Sequence, residues 1–443
     1  MAFAGCYNIG NITTKGSGFS GTATAGLIAL YTAGSSFTDC YNTGKVTSEK
    51  TVYAAGIAGA IKWKTVADSV RVVIKRSYNT GDIVANGNQG GGIVASTPDY
   101  ITVDSCYNVG NISGKFALGG IAANLNSKDA VLSNCWNAGN VTTSMNRAAG
   151  IVGWNNKAAT ITACFNVGDI TNTSKGWATG GIAGQAGGIF TNCYNMGTVT
   201  GQNEVGGIVG QPWKGFTQLI GCYNAGKIVA PADTCGNLIG SNVANGKIWN
   251  DGNKVENCYY VTDFGTYDND IVGTATTIAD FAKLNLGEAW VSGDDYSLPV
   301  LASLADNDYA KLNAARIILH AGDTMDGVTQ NFFVGSPEGI SWTPSPDVVS
   351  IEGTNAMFND VFTGELTMTA SIGNLSKEYV LNCQVTEVSG IDSIDAGHGE
   401  LLSRKFFNAA GVEVPSPKEK QGIVYIVVSR YSDGFVSVVK AIY

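Results

Sequence analysis

The chain has 443 residues, a length that accommodates two or three domains with a substantial buried core. It contains 58 glycines and only 14% charged residues, a composition that favours tightly turned β structure and argues against a helical protein. The formal net charge of -9 opposes nonspecific attraction to nucleic acid or anionic membranes, because both need clustered Lys and Arg. No apolar run approaches the roughly 20 residues that a membrane-spanning helix requires.

The chain begins inside a repeat. Its first ten residues, MAFAGCYNIG, have no basic segment followed by an apolar core, so we expect a signal sequence and further repeats upstream of residue 1. They contain the first copy of a C-aromatic-N-x-G motif, at Cys6. The later motif cysteines are Cys40, Cys106, Cys135, Cys164, Cys193, Cys222 and Cys258, and Ser77 fills the one gap between them. From Ser77 to Cys222 every step is 29 residues, as from 106 to 135.

A second element, with sequences such as GGIVA, GGIAG and GNLIG, follows each motif by about half a period. Each unit therefore predicts one strand ending at the Cys, a turn at N-x-G, a short strand, a variable loop and a strand at the second element. A period of this length indicates a solenoid, a propeller or a helical array. Propeller blades are longer, a leucine-rich framework is missing, and the glycine density forbids helical repeats. The prediction is an all-β protein built on a parallel β-helix of nine coils, right-handed because parallel crossovers have that hand.

Stacked coils place equivalent residues over one another, so a repeated residue becomes a ladder. Small Cys side chains would fill the interior, Asn side chains would pass hydrogen bonds between coils, and the motif glycines, Gly10 to Gly226, would supply a positive φ. The predicted ladder residues are Cys106, Cys135, Cys164, Cys193, Cys222, Asn108, Asn137, Asn166, Asn195 and Asn224. We also expect the aromatic residues that follow the motif cysteines to stack on one another from coil to coil.

Ten cysteines in an exported protein could form disulfides. Stacked cysteines have parallel Cα–Cβ vectors, however, which match the disulfide torsion poorly, so buried free thiols are favoured. A metal site is disfavoured because no C-x-x-C pair occurs and the histidines, His320 and His398, are isolated.

The C-[YWF]-N-x-G-x-[IV] and GGI[AV]G elements, over about residues 4 to 260, resemble the GLUG-motif repeats of bacterial surface proteins, adhesins and noncatalytic regions of IgA-specific metallopeptidases. The resemblance implies a cell-surface β-helix used for attachment, without a known ligand. The peptidase zinc site requires H-E-x-x-H, and no such string occurs in this sequence.

After Cys258 the pattern changes to a segment resembling those that close GLUG arrays, and a solenoid end needs such a cover. We assign the cap to 259–303, so that the solenoid domain with its cap covers 1–303. Within the cap we predict a helix over 277–285, because Ile278, Phe281 and Leu284 would share one face of it.

Residues 304–386 form a second predicted domain of alternating strands. Its W-x-x-S-P-x-V-V-S-I string resembles bacterial Ig-like modules. Residues 387–443, with FFNAAGVEV and GIVYIVVSRYSDG, resemble the C-terminal sorting domains of type IX secretion. That resemblance implies a small β-sandwich read by export machinery and display at the outer membrane of a Gram-negative cell, anchored or released.

Parallel β-helices also include polysaccharide lyases and hydrolases, whose sites need clustered carboxylates. Asp82, Asp169 and Glu204 are scattered over the repeats. The sequence therefore favours a noncatalytic adhesin or binding protein without a cofactor. A β-helix polysaccharide-degrading enzyme and a structural stalk for an upstream binding domain remain the alternatives.

Four tryptophans are the candidate ligand-binding residues: Trp63, Trp154, Trp213 and Trp249. They follow the second element in outgoing loops, and equivalent positions two coils apart are separated by about 10 Å, a span suited to sugar rings. The expected partner is an extracellular glycan or a host surface protein. Anchoring of loops against the coil is the structural alternative.

Overall fold

The computed structural model describes residues 1–16, 21–61, 70–97, 100–125, 129–240, 253–267, 270, 272–320, 322–386, 401–408, 413–414, 424–431 and 436–442. The chain forms two compact units. The first contains Met1–Val291 and Pro299–Asn313, and the second contains Ser292–Leu298 and Ala314–Tyr443. No helix in the described part of the chain is long and apolar enough to cross a bilayer.

The first unit is a parallel β-solenoid, as predicted, with three sheets along its length. Sheet 1 has thirteen strands among the described residues: Ala2–Ala4, Ile28–Tyr31, Ser36–Thr38, Ala58–Ile61, Val72–Lys75, Val94–Ser96, Tyr100–Asp104, Ala122–Asn124, Asp129–Ser133, Val152–Thr162, Ala183–Thr191, Val209–Ile220 and Lys254–Glu256. Sheet 2 has ten: Tyr7–Asn8, Tyr41–Asn42, Tyr78–Asn79, Tyr107–Asn108, Trp136–Asn137, Phe165–Asn166, Tyr194–Asn195, Tyr223–Asn224, Tyr259–Val261 and Thr274–Thr276.

Sheet 3 contains the strands that follow the motif and those that precede the second element. The described residues contribute fourteen: Ile12–Thr14, Ala23–Ala25, Val46–Ser48, Tyr53–Ala55, Ile83–Ala85, Gln89–Gly91, Ile112–Gly119, Val141–Ala149, Ile170–Asn172, Trp177–Gly180, Val199–Thr200, Asn203–Gly206, Ile228–Val229 and Cys235–Gly236. Equivalent residues pair in register between coils, as Ile83 with Ile112 and Ile112 with Val141. The inward side chains are buried in two main apolar clusters that extend along the solenoid, because each coil covers the residues of the one before it.

The motif asparagines form a hydrogen-bonded ladder from Asn8 to Asn224. In each interior coil the amide Nδ2 donates to the Oδ1 of the next asparagine and to the carbonyl of the glycine two residues later, both at about 2.7 Å, as Asn108 does to Asn137 and Gly110. From Asn42 onward these side chains are fully buried. From Asn42 to Asn195 both amide hydrogens thus have acceptors inside the protein, which is the condition for burying them.

The motif cysteines line the interior next to this ladder. All are free thiols, and each of several donates to the carbonyl two residues earlier, as Cys135 does to Ser133 at 3.2 Å. Burial raises the pKa of the Cys106, Cys164 and Cys222 thiols. Ser77 fills the same position through its hydroxyl, which donates to Lys75 O at 2.9 Å and accepts from Cys40 N at 3.1 Å.

The motif aromatic residues stack face to face along the outside of sheet 2. Neighbouring rings are nearly parallel with centroids 4.4 to 5.7 Å apart, from Tyr7 to Tyr223. Phe281, Trp290 and Tyr309 pack on the later rings of this column. Tyr7 is exposed, whereas Phe165 and Tyr194 are fully buried.

The motif glycines do not have the positive φ predicted for them. The left-handed conformation lies instead at the residue before each motif Cys or Ser77, as at Asp39, Ser105 and Asn192. The glycines are required by close backbone approach: a Cβ on Gly139 would lie 2.1 Å from Gly110 O. The glycines of the second element pack closely against the asparagine ladder, since a Cβ on Gly120 would lie 2.4 Å from Asn137 Cγ. That contact explains why the two elements recur together.

The predicted helix over 277–285 is shorter in the structure. It spans Ile278–Phe281 and is capped by Thr277, whose side chain accepts from Asp280 N. Ile278 and Phe281 are buried as expected, but Leu284 lies beyond the helix. After this helix come a strand pair, Trp290–Val291 with Val300–Leu301, and the 3-10 turn Ala302–Leu304. The helix Asp308–Ala314 begins beyond the predicted cap and was not predicted from the sequence. Another 3-10 turn, Ala232–Thr234, lies earlier in the solenoid.

The second unit consists of antiparallel sheets. One has the order Ile317–Ile318, Phe332–Val334, Asn355–Phe358, Val349–Glu352, and another has Ser341–Ser345, Phe362–Ile372, Leu375–Val385. Phe332, Leu366, Leu381 and Cys383 belong to one shared core. A third sheet has the order Glu413–Val414, Leu401–Phe407, Val424–Tyr431, Val436–Ile442. His398 lies outside the described residues.

Candidate functional site

The structure describes two of the four predicted tryptophans. Trp154 and Trp213 are both half-buried, and Trp63 and Trp249 lie outside the described residues. The register pairs Trp154 with Gln185 and Gln185 with Gln211. The position equivalent to Trp154 two coils later is therefore Gln211, and Trp213 lies two residues beyond it. The predicted equivalence is wrong because Trp154 directly follows Gly153, whereas Trp213 lies three residues after the corresponding Gly210.

Trp154 belongs to an aromatic cluster around Arg147, which we call the Arg147 site. The guanidinium carbon lies 4.0 Å from the ring centroid of Trp177, 4.6 Å from that of Phe116 and 4.8 Å from that of Trp154. The Phe116 and Trp154 rings meet edge to face at 6.0 Å. All four side chains are half-buried. Cation–π contacts of this kind contribute about 0.5–2 kcal/mol each, depending on how far the cation is desolvated.

The backbone of sheet 3 explains how Arg147 reaches these rings. Ala117, Arg147, Ala178 and Glu204 occupy the same place in four successive coils and all have a left-handed φ, between 49° and 64°. This conformation is uncommon outside glycine and costs of order 1 kcal/mol or more. The equivalent residues in the two adjoining coils are Ala117 and Ala178. Because both are small, the long side chain of Arg147 has room between the rings of these coils.

A chain of hydrogen bonds holds the polar side of the site. Arg147 Nε donates to Gln185 Oε1 at 2.9 Å, Gln185 Nε2 donates to Gln211 Oε1, and Gln211 Nε2 donates to Glu204 Oε1 at 2.8 Å. Gln185 is only 3% exposed, so its amide cannot rotate away into solvent without losing both partners. The chain crosses three coils and fixes the direction of the guanidinium.

Burial lowers the pKa of Arg147 to about 10, and the negative charge of Glu204 acts in the opposite direction. The side chain therefore remains a cation at neutral pH, in surroundings drier than the open surface. Attraction to an anion is stronger in such surroundings than in bulk water.

The sequence pattern indicated Trp154 but not Arg147, Phe116 and Trp177. Phe116 and Trp177 each lie three residues before the first glycine of a second element, at Gly119 and Gly180. An aromatic residue at that place in alternate coils was the available signal. It was weak because the cation they surround comes from the coil between them.

The scattered carboxylates have identifiable partners. Asp82 Oδ1 accepts from Asn111 N at 3.1 Å, and Asp169 Oδ1 accepts from Thr198 N at 2.9 Å. With Asn111 and Asn140 these side chains form an exposed ladder that satisfies the backbone of the neighbouring coil. Within the described residues, no group of three or more His, Cys, Asp or Glu side chains is placed to hold a metal ion.

Comparisons with known proteins assign this chain to no family. No protein-family model matches the chain, and no curated protein matches it. A similar solved structure is described as a "putative immunoglobulin A1 protease" from Bacteroides ovatus. It has 19% sequence identity and a TM-score of 0.40, and the similarity covers 65% of this chain and 94% of that one. The class of protein defined by the coordinates themselves is a parallel β-solenoid with antiparallel C-terminal sheets.

Proposed function

We propose that this chain is a noncatalytic binding protein of a bacterial cell surface, and that its solenoid binds a glycan through the Arg147 site. The observation that carries the proposal is the cluster of three half-exposed aromatic rings around one cation. Flat aromatic faces pack against the CH groups of sugar rings, and adjacent polar side chains orient the hydroxyls. The rigid scaffold holds these groups in place before the ligand arrives, which lowers the entropy cost of binding.

The location of the protein is part of the same proposal. The motif and second element support membership of the GLUG-repeat surface proteins, with a solenoid domain of 1–303. The resemblances of 304–386 to Ig-like modules and of 387–443 to type IX sorting domains support a spacer followed by an export tag. In this arrangement the solenoid is exposed outside a Gram-negative cell, where a glycan or a host glycoprotein is accessible.

The test is binding of the full chain to a glycan array, followed by isothermal titration with each positive sugar. Trp154→Ala and Trp177→Ala should each weaken binding about tenfold or more, because each removes an aromatic face. Trp213→Ala is the matched control, since it removes a half-buried tryptophan outside the site, and it should change the affinity less than twofold.

Absence of any sugar binding by the wild type would reject the glycan ligand. Binding that depends on Trp213 and is unaffected by Trp154→Ala and Trp177→Ala would place the ligand elsewhere. Circular dichroism of each variant separates loss of binding from loss of fold.

A further inference from the structure

The guanidinium of Arg147 has donors that the described protein does not use. Its Nε donates to Gln185, and three rings contact its central carbon. Among the residues that the structure describes, its two Nη atoms donate no hydrogen bond. An arginine fixed through Nε presents these Nη groups as a planar fork.

Such a fork matches the two oxygens of a carboxylate, with two parallel N–H···O bonds. The aromatic rings cannot accept these hydrogen bonds well, but they exclude part of the surrounding water. They also restrict the side chain, so little further rotamer freedom is lost when an anion binds. Burial lowers the pKa of Arg147 only to about 10, so the fork keeps its charge at neutral pH.

We propose that the Arg147 site recognises an acidic sugar: the sugar carboxylate pairs with the Arg147 Nη groups while the sugar ring packs on Trp154 or Trp177. This inference rests on the proposed glycan-binding function and narrows its ligand to sugars that carry one carboxylate per residue. Two sources share this chemistry, namely hexuronic acids within polysaccharides and sialic acids at the ends of host glycans.

The charges around the site favour a single anionic group over a polyanionic peptide. Glu204 is close enough to raise the pKa of Arg147, and its charge repels any anion at the site, so each ligand charge beyond the one paired with Arg147 weakens binding. The formal charge of the whole chain, -9, also opposes long-range attraction of acidic polymers. Recognition then depends on one short-range pair, and the apolar rings beside it favour a ligand that places CH groups next to its carboxylate.

The test compares matched acidic and neutral sugars on the full wild-type chain by isothermal titration. The pairs are 3′-sialyllactose with lactose, and a trigalacturonate with the corresponding neutral galactose trisaccharide. One acidic member should bind about ten- to a hundredfold tighter than its neutral partner, the value of a charge-assisted hydrogen-bonded pair. The pair that shows this difference identifies the source of the carboxylate.

Arg147→Lys keeps the charge and loses the fork, so the acidic sugar should bind about tenfold more weakly while its neutral partner changes little. Arg76→Gln is the control: it removes a solenoid arginine that pairs with Asp39, and it should leave both affinities within twofold of the wild type. If Arg147→Lys fails to fold, the acidic-to-neutral ratio of the wild type still decides the question.

Equal binding of acidic and neutral sugars overturns the inference and leaves glycan binding intact, provided that both depend on Trp154. Loss of all sugar binding overturns both proposals together. A short poly-glutamate peptide that binds as tightly as the acidic sugar, with the same dependence on Arg147, overturns the sugar class in favour of an acidic peptide.

Discussion

The asparagine ladder allows a quantitative prediction for Asn137→Ala. Asn137 Nδ2 donates to Asn166 Oδ1 at 2.8 Å and to Gly139 O at 2.7 Å, and its Oδ1 accepts from Asn108 Nδ2 at 2.7 Å. The substitution removes three buried hydrogen bonds, and each of the three partner atoms loses a bond where no bulk water reaches. With about 1–2 kcal/mol for each, the free energy of unfolding should fall by about 3–6 kcal/mol.

Asn8→Ala is the matched control at the exposed end of the same ladder. Asn8 Nδ2 donates to Gly10 O and Asn42 Oδ1, but no preceding asparagine of the described chain donates to its Oδ1, and its surroundings are open to water. Its removal should cost about 1 kcal/mol. The comparison is made by urea unfolding with hydrogen-exchange mass spectrometry, because repeat arrays need not unfold in one step. Equal losses for the two variants would refute the view that the buried ladder stabilises the solenoid.

A close glycine contact, the buried thiols and a buried carboxyl each give a testable outcome. Gly139→Ala should destabilise the solenoid by about 3 kcal/mol or more, since its Cβ would lie 2.1 Å from Gly110 O, whereas Gly10→Ala, with its nearest atom 3.8 Å away, should be tolerated in the same urea titration. Cys6 is partly exposed, whereas the thiols from Cys40 to Cys258 are buried, so maleimide at neutral pH should modify Cys6 first, as measured by mass spectrometry. Rapid labelling of Cys135 in the folded protein would contradict the interior ladder. Burial raises the pKa of Asp263, so the stability that its protonated form contributes is present below about pH 4 and is lost as the pH rises through the folded pKa. Asp263→Asn should remove that decline from the pH profile of unfolding, and an unchanged profile would exclude this carboxyl as its source.

The repeat spacing was sufficient to predict the solenoid, because a fixed 29-residue step leaves few ways to stack β strands. The backbone conformation of the motif glycines was predicted wrongly. Glycine serves both for positive φ and for close approach, and the spacing of Gly110 and Gly139 does not distinguish the two uses. Only the coordinates show that the carbonyl of the preceding coil occupies the place of a Cβ.

The candidate site was predicted only in part, through Trp154. Its other members come from three coils and meet Trp154 because one position of sheet 3 is left-handed, a property that Arg147 and Ala178 do not signal as residue types. The expected match of Trp154 with Trp213 failed for a different reason. Trp154 lies one residue after Gly153 and Trp213 lies three residues after Gly210, so counting from these glycines already separates the two positions.

Each coil of the solenoid pairs only with the coils next to it, and this arrangement determines how the protein should respond to a pulling force. A load applied to the N-terminus acts on the parallel ladder of one coil at a time, so the bonds open in sequence like a zipper rather than together in shear. Each 29-residue coil would release roughly 100 Å of extended chain. Single-molecule stretching should therefore give a regular sawtooth of small steps, and a protein with this response dissipates mechanical work gradually while its remaining coils stay folded.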